Sequence, residues 1–217
     1  MIIFALCNHQ SVIQKTMIKN LVFDFGNVLI CYDYPSFLKT IFDDEDERLR
    51  FEEIFCGAEY VQRCDLGEDS FIDLIKEAQA EYPHWEKQLQ EFYDRQLEAM
   101  TVEMPGMRDL LTRLKAAGYC LYGLTNWSDA VYDVINKFDI LSMMDGRLIS
   151  SEERLVKPNV AIYDRLCEKF GLVKDECLFT DDKQINIDGA KAAGMQAVVF
   201  TDADQYEEAL KKYGVNC

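Results

Sequence analysis

The sequence predicts an α/β fold: a doubly wound parallel sheet with a helical insertion after its first strand. A short apolar segment ends abruptly at Asp24, with Gly26 two residues later, which is typical of a buried strand and its turn. Strand and helix patterns alternate from residue 101 onward, as in sheets built with right-handed crossover helices. Between these two regions, residues 35–100 show only helical periodicity.

The first strand is predicted over residues 18–24, and helices are predicted after it. Apolar side chains recur at helical spacing in three segments. These segments contain Phe37, Leu38, Ile41 and Phe42; Phe71, Leu74, Ile75 and Ala78; and Leu89, Phe92, Tyr93, Leu97 and Met100. We therefore interpret residues 33–100 as a helical domain inserted into a core formed by residues 17–32 and 101–217.

Four further strands are predicted after the insertion, with a helix before or after each. The strands are expected at residues 119–124, 147–149, 177–180 and 196–200, all apolar segments. Gly118, Gly171 and Gly194 each follow a segment of helical periodicity, at the position of a C-terminal cap. Parallel strands joined in this way form a sheet that is covered by helices on both faces.

The composition argues against several classes of function. A net charge of −16 disfavours nucleic acids and anionic membranes as partners, because a phosphate backbone requires a basic surface. Eight cysteines occur without a CxxC pair and beside only two histidines, so a zinc site is not expected. Cysteines within apolar segments are typical of a reducing compartment. We expect a cytoplasmic protein that is a monomer or a weak dimer.

Residues 1–16 precede the first strand and are interpreted as an N-terminal extension. Their apolar part, residues 2–7, has no basic residue before it. It is too short for a membrane span and does not resemble a signal peptide. We expect that the fold does not require this extension.

Polar side chains stand where several predicted elements end or begin. They are Asp24, Thr125 with Asn126, Lys157, and Asp181 with Asp182. In a doubly wound sheet they would collect at the carboxyl edge, where ligands bind. Three neighbouring carboxylates repel one another unless a divalent cation binds, and oxygen ligands suit Mg²⁺. A lysine and a hydroxyl can hold phosphoryl oxygens, while one carboxylate attacks phosphorus. Singly, each residue also fits a turn or a helix start.

These motifs resemble those of the haloacid dehalogenase (HAD) superfamily. An aspartate after the first strand, a strand-end threonine, a lysine and an acidic pair follow one another in the family's order. The resemblance covers about residues 17–213 and implies a HAD-like Rossmannoid core with an inserted α-helical cap. Residues 24–28 together with the acidic pair are most similar to the branch that contains bacterial α-D-glucose-1-phosphate phosphatases.

The resemblance implies a Mg²⁺ site. Asp24 would be both the catalytic nucleophile and a metal ligand, and the backbone carbonyl of Gly26 would be a second ligand. Asp182 would be the main ligand of the acidic pair, with Asp181 beside it in the metal shell.

The resemblance also implies how the substrate is held. Thr125 and Lys157 would be catalytic residues that bind the phosphoryl oxygens. Asn126 would belong to the same phosphate-binding set as a supporting polar group, and Asn186 would be a second supporting group. In the cap, the turn at residues 62–68 would face the active site. Its Arg63 would bind the substrate, unless this turn is an ordinary solvated surface turn.

Gly26 is a departure from the family pattern. Most phosphatases of the family carry an aspartate there that serves as general acid and base. Glycine cannot transfer a proton, and loss of a positioned acid or base typically costs ~10²–10⁴-fold in rate. An anomeric or acyl phosphate has a better leaving group and needs less protonation. This favours a sugar 1-phosphate over a simple alkyl phosphate.

The predicted function is therefore that of a Mg²⁺-dependent phosphatase that hydrolyses a small phosphorylated metabolite, such as a sugar phosphate, through an aspartyl phosphate. Three alternatives stay open. A 2-haloacid dehalogenase would also use an aspartate nucleophile, but it needs no metal, and the acidic pair argues for one. A phosphosugar mutase would need the acid and base that Gly26 lacks. A non-catalytic phosphometabolite-binding protein would have no need of a nucleophile.

Overall fold

The computed structural model describes residues 17–216, and its centre is a five-stranded parallel sheet. The strands of the chain are β1 (Asn20–Phe23), β2 (Ile30–Tyr32), β3 (Met100–Glu103), β4 (Cys120–Thr125), β5 (Gly146–Ile149), β6 (Cys177–Asp181) and β7 (Gln196–Val199). The parallel sheet has the order β5-β4-β1-β6-β7. This confirms the predicted fold class and each strand predicted for the sheet. The predicted extension at residues 1–16 lies outside the described residues.

Helices occupy most of the remaining chain. They are α1 (Tyr34–Leu38), α2 (Glu45–Phe55), α3 (Ala58–Leu66), α4 (Phe71–Glu81), α5 (Glu86–Arg95), α6 (Met107–Ala116), α7 (Val131–Lys137), α8 (Ser150–Glu153), α9 (Val160–Phe170), α10 (Gln184–Ala192) and α11 (Ala203–Lys212). Short 3-10 turns lie at Pro83–Trp85, Gln96–Ala99, Asp139–Met143 and Lys174–Glu176. Among residues 17–216, no helix is both long enough and apolar enough to cross a membrane.

A second, two-stranded sheet was not predicted from the sequence. Its strand β2 precedes helices α1–α5 in the chain, and its strand β3 follows them. β2 and β3 pair antiparallel, with Cys31 opposite Val102. Met100, assigned above to a helix face, is the first residue of β3. Strands of three and four residues are too short to show a clear alternation of apolar and polar side chains.

The central strand β1 is buried on both faces. Leu21 and Phe23 belong to a large apolar cluster on one side, and Val22 belongs to a second cluster on the other. Alternate side chains of a strand point to opposite faces, so both faces of the sheet are covered. The large cluster also contains buried side chains of α1–α5, such as Phe51 and Phe92, which pack in continuity with the core.

Candidate active site

The sheet register brings three strand ends together. Phe23 at the end of β1 lies opposite Gly123 of β4 and Thr180 of β6. The next positions along these strands therefore meet at the carboxyl edge of the sheet. Asp24 follows β1, while Thr125 and Asp181 are the last residues of β4 and β6.

One cavity of about 530 Å³ opens at this edge. Predicted site residues that line it are Asp24, Gly26, Thr125, Asn126, Lys157, Asp182 and Asn186. Its other wall is formed by the inserted helices and is largely aromatic, with Tyr34, Phe55, Tyr60, Phe71 and Phe92 among the lining residues. The volume lies within the range typical of small-molecule sites.

Lys157 is the buried cation of the site. It lies between α8 and α9, and its side chain is 1% exposed. The Nζ lies 3.0 Å from Asp24 Oδ1, donates to Asp181 Oδ2 at 2.7 Å, and donates to the Leu124 carbonyl at 3.1 Å. Burial alone would lower the pKa of Lys157, but attraction to Asp24 and Asp181 outweighs it and raises the pKa. The ammonium therefore stays charged.

Asp181 positions Lys157. Its Oδ1 accepts the Lys183 backbone N–H and the Asn186 Nδ2 at 2.9 Å each, and its Oδ2 accepts Asn186 Nδ2 at 3.0 Å as well as Lys157. Burial alone would raise the pKa of Asp181, but the charge of Lys157 and these hydrogen bonds lower it. Since both oxygens already accept hydrogen bonds, Asp181 is less suited to bind a cation than its neighbours.

Asp24 keeps one oxygen available to the cavity. Its Oδ1 accepts the Phe25 backbone N–H at 2.7 Å and lies beside Lys157, whereas Oδ2 has no hydrogen-bond partner within residues 17–216. Burial raises the pKa of Asp24 to about 6, with Lys157 opposing the shift and the charge of Asp181 adding to it. At neutral pH the group is therefore mainly a carboxylate, as a nucleophile must be.

The acidic residues of the site have the donor set of a hard cation. Carboxylate oxygens of Asp24, Asp181 and Asp182 lie within 4.8 Å of one another. Burial and the neighbouring charge of Asp181 raise the pKa of Asp182. Three carboxylates facing one buried ammonium leave an excess of negative charge. Oxygen ligands of this kind fit Mg²⁺, and Asp24 and Asp182 are the carboxylates with more free oxygen atoms to hold it.

Thr125 and Asn126 differ in what their side chains can still do. The Thr125 hydroxyl makes no hydrogen bond to the described part of the chain, so it is free to donate into the cavity. The Asn126 side chain is partly used: Oδ1 accepts the Lys157 backbone N–H at 2.9 Å, and Nδ2 donates one N–H to the Lys157 carbonyl at 3.1 Å. Asn126 thus holds the lysine loop, and the second N–H of Nδ2 makes no hydrogen bond within residues 17–216.

Arg63 is not brought to the cavity, so its position does not agree with the predicted contact to substrate. Its guanidinium donates to both carboxylate oxygens of Glu77, at 2.9 and 2.8 Å, and lies 3.6 Å from Asp69. These partners hold it on the outer side of α3. The residue of the same turn that does line the cavity is Asp65.

Two further residues that line the cavity, Asp65 and Tyr32, were not predicted from the sequence. Burial, together with the charges of Asp182 and Asp24, raises the pKa of Tyr32 to about 12. Its ring lies beside Gly26, where an added Cβ would be 2.8 Å from Tyr32 Cε1. The sequence contains one indication of Asp65, namely its position two residues before Gly67. Gly67 has the left-handed conformation and ends α3.

Comparison with known proteins identifies related chains. The model of the haloacid dehalogenase-like hydrolase family matches residues 18–194. The solved structure of a HAD family enzyme from Bacteroides thetaiotaomicron, in complex with magnesium and inorganic phosphate, has a TM-score of 0.71 at 20% identity. The match covers 88% of this chain and 98% of that one. At this identity the likeness shows the fold alone.

Two curated relatives have different activities. A phosphoglycolate phosphatase from Pasteurella multocida is 31% identical over 116 residues, covering 53% of this chain and 52% of the relative. An (S)-2-haloacid dehalogenase from Burkholderia cepacia is 28% identical over 116 residues, covering 52% of this chain and 50% of the relative. The chain spans about half the length of the curated relatives it matches.

Proposed function

The chain belongs to the haloacid dehalogenase-like hydrolases, and on that basis we propose that it is a Mg²⁺-dependent phosphatase of a small phosphorylated metabolite. One observation carries the proposal: three carboxylates converge at the sheet edge, and the buried ammonium of Lys157 pairs with two of them. A divalent cation would neutralise the excess negative charge and allow an anionic phosphate to enter. The phosphoglycolate phosphatase relative and the magnesium and phosphate bound to the Bacteroides enzyme support the same reading.

The residues of this chain would bind the metal, bind the phosphoryl oxygens or hold the lysine in place. Asp24, Asp182 and the Gly26 carbonyl would hold Mg²⁺, which when bound would offset the charge of the phosphoryl oxygens. Lys157 and the free hydroxyl of Thr125 would bind the remaining phosphoryl oxygens. Asp181 and Asn126 would keep the lysine in place, through its ammonium and its backbone respectively.

Asp24 would act as the nucleophile. Its unpartnered oxygen would form a bond to phosphorus while the ester P–O bond breaks, which gives an aspartyl phosphate and, once the leaving oxygen takes up a proton, the alcohol. Attack of water on phosphorus would then release inorganic phosphate and restore the carboxylate. The cavity wall formed by α1–α5 would limit access of bulk water during transfer.

A sugar phosphate is the proposed substrate class. The cavity of about 530 Å³ has space for a ring beyond the phosphate, and its aromatic wall offers faces on which a ring can pack. Within this class, a 1-phosphate depends least on a proton donor elsewhere in the site, because its leaving group needs less protonation and Gly26 supplies none.

Phosphate release from a panel of phosphate esters tests the proposal. The panel would be assayed with Mg²⁺ and with EDTA, for the wild type, Asp24→Asn and Asp188→Asn. Asp188 is an exposed aspartate of α10 that does not line the cavity, so it controls for the substitution itself. We expect release that requires Mg²⁺, is abolished in Asp24→Asn and persists in Asp188→Asn.

Two results would contradict the proposal. Phosphate release that is equal in Mg²⁺ and EDTA would remove the metal from the reaction. Chloride release from a 2-haloacid, with no phosphate release from any ester, would instead assign the activity of the Burkholderia relative.

A further inference from the structure

We propose that Asp65, at the end of the inserted helix α3, is the general acid and base of this site, in place of the residue missing at position 26. The inference rests on the proposed phosphatase function. It concerns the protonation of the leaving group, a step that Asp24, Lys157 and Thr125 leave without a donor.

The space next to Gly26 is already filled. A Cβ built on Gly26 would lie 2.8 Å from Cε1 and 3.5 Å from Cδ1 of Tyr32. Real Cβ contacts of 2.8 Å essentially do not occur, so a side chain fits at this position only if the tyrosine ring moves. Gly26 itself has no acidic side chain, and the tyrosine ring occupies the space beside it, so a proton donor would come from another element.

Asp65 lines the same cavity as Asp24, Thr125 and Lys157 and approaches it from the opposite wall. Within residues 17–216 its carboxyl group has neither a hydrogen-bond partner nor an ion-pair partner. Other acidic groups of the site are held by hydrogen bonds, as Asp181 is. A half-buried carboxyl without a partner inside a substrate cavity is available to a ligand.

The backbone around Asp65 is fixed to the sheet edge. The Ser150 hydroxyl donates to the Asp65 backbone carbonyl at 2.6 Å, and Ser150 Oγ accepts the Trp127 backbone N–H at 3.0 Å. Two residues on, Gly67 approaches the chain so closely that a Cβ would lie 2.3 Å from the Ser151 carbonyl. These contacts hold the end of α3 against α8, so the backbone that carries the Asp65 side chain is fixed relative to the strand ends.

The charges around Asp65 support its role. The titratable groups that face it are Lys157, Lys183, Asp24, Tyr34 and Cys64. Burial raises the pKa of Asp65 to about 7, with the two lysines opposing the shift and Asp24 adding to it. A carboxyl group of this kind carries a proton in part of the molecules at neutral pH, as a general acid and base requires.

In the proposed reaction, Asp65 gives up a proton in the first step and takes one back in the second. While Asp24 Oδ2 forms its bond to phosphorus and the ester P–O bond breaks, the Asp65 carboxyl donates its proton to the leaving oxygen, which departs as the alcohol. The Asp65 carboxylate then takes a proton from the water that attacks phosphorus. The Asp24–phosphorus bond breaks, inorganic phosphate leaves, and Asp65 is again protonated.

Leaving-group dependence tests this inference. The variants are Asp65→Asn, which keeps the shape, and Glu68→Gln, an exposed acid of the same turn that does not line the cavity. We compare p-nitrophenyl phosphate, whose leaving group needs no proton, with the alkyl phosphate that the wild type hydrolyses fastest. For Asp65→Asn we expect kcat/KM to fall ~10²-fold or more on the alkyl ester and by less than about tenfold on the aryl ester. Glu68→Gln should match the wild type on both.

The pH profile provides a second readout. Wild-type activity on the alkyl ester should decline as the pH rises above about 7, because Asp65 loses its proton. That decline should be absent in Asp65→Asn.

Each contrary result has one meaning. Equal losses on the two esters, or no loss on the alkyl ester, would overturn the role of Asp65 and leave the phosphatase intact. A wild type that hydrolyses the aryl ester but no alkyl ester would also overturn it, since no acid is then at work. A wild type without phosphate release from any ester would refute the proposed function, and this inference with it.

Discussion

The contact between Gly26 and Tyr32 makes a quantitative prediction about stability. In Gly26→Ala, the new Cβ would lie 2.8 Å from Tyr32 Cε1, and overpacking of this kind costs about 1–3 kcal/mol. The backbone itself tolerates alanine, because Gly26 is not among the glycines with positive φ. In a Tyr32→Ala background the obstacle is gone. There Gly26→Ala should be neutral or stabilising by about 0.4–1 kcal/mol, through the lower entropy of the unfolded chain.

A double-mutant cycle measures this coupling. The free energies of unfolding of the wild type, both single variants and the double variant would come from urea denaturation, with the slope checked for constancy. We expect Gly26→Ala to destabilise only the chain that carries Tyr32, with a coupling energy of about 1–3 kcal/mol. Gly171→Ala is the matched control. Its φ of +65° makes alanine unfavourable, but its Cβ would meet no atom within 4 Å, so its cost should be the same in both backgrounds.

Additivity would refute the reasoning. If Gly26→Ala cost the same with and without the tyrosine ring, the ring would not be what excludes a side chain at position 26. There would then be no steric reason to expect the proton donor in the inserted helices.

Three further predictions concern charged residues. Lys157→Met should destabilise the protein by about 3–5 kcal/mol near pH 8, because Asp24 and Asp181 lose their buried partner. Denaturation near pH 5 should show a smaller loss of stability, and an equal loss at both pH values would contradict this. Folding raises the pKa of Asp65 from 3.8 to about 7, so its stabilising effect is complete below about pH 4 and lost as the pH rises through 7. The free energy of unfolding of Asp65→Asn, relative to that of the wild type, should therefore increase by up to about 4 kcal/mol between pH 4 and pH 7. Denaturation in EDTA measures this difference, and a difference that does not change with pH would count against the prediction. Arg63→Ala should keep kcat/KM within about twofold of the wild-type value and lower stability by no more than about 1 kcal/mol, because the ion pair of Arg63 with Glu77 is exposed. A large rise in KM would show that Arg63 reaches the substrate.

The sequence determined the sheet and the residues at its edge. Apolar strand segments that end in Asp24, Thr125 and Asp181 could be recognised because each is buried on both sides and stops at a polar residue. Given parallel strands, these ends must meet at one edge, whatever the details of packing. The order of the strands and the pairing of β2 with β3 were not determined in this way, because the pairing of distant segments has no local signal.

Tertiary structure decided which side chains of the insertion reach the cavity. Arg63 and Asp65 lie two positions apart on α3, so they point in nearly opposite directions around the helix axis. Helical periodicity does not say which of the two faces the sheet. The Ser150–Asp65 hydrogen bond and the close approach of Gly67 to Ser151 fix that choice, turning Asp65 inward and leaving Arg63 to Glu77.

The same reason explains Gly26. From the sequence, glycine at this position indicates only that a side chain is missing. The structure shows that Tyr32, brought back by the turn into β2, fills the space where that side chain would lie. Local sequence thus determined Asp24, the lysine and the acidic pair as candidate site residues. The contacts between the insertion and the sheet decided which further groups line the cavity, since those contacts join residues far apart in the chain.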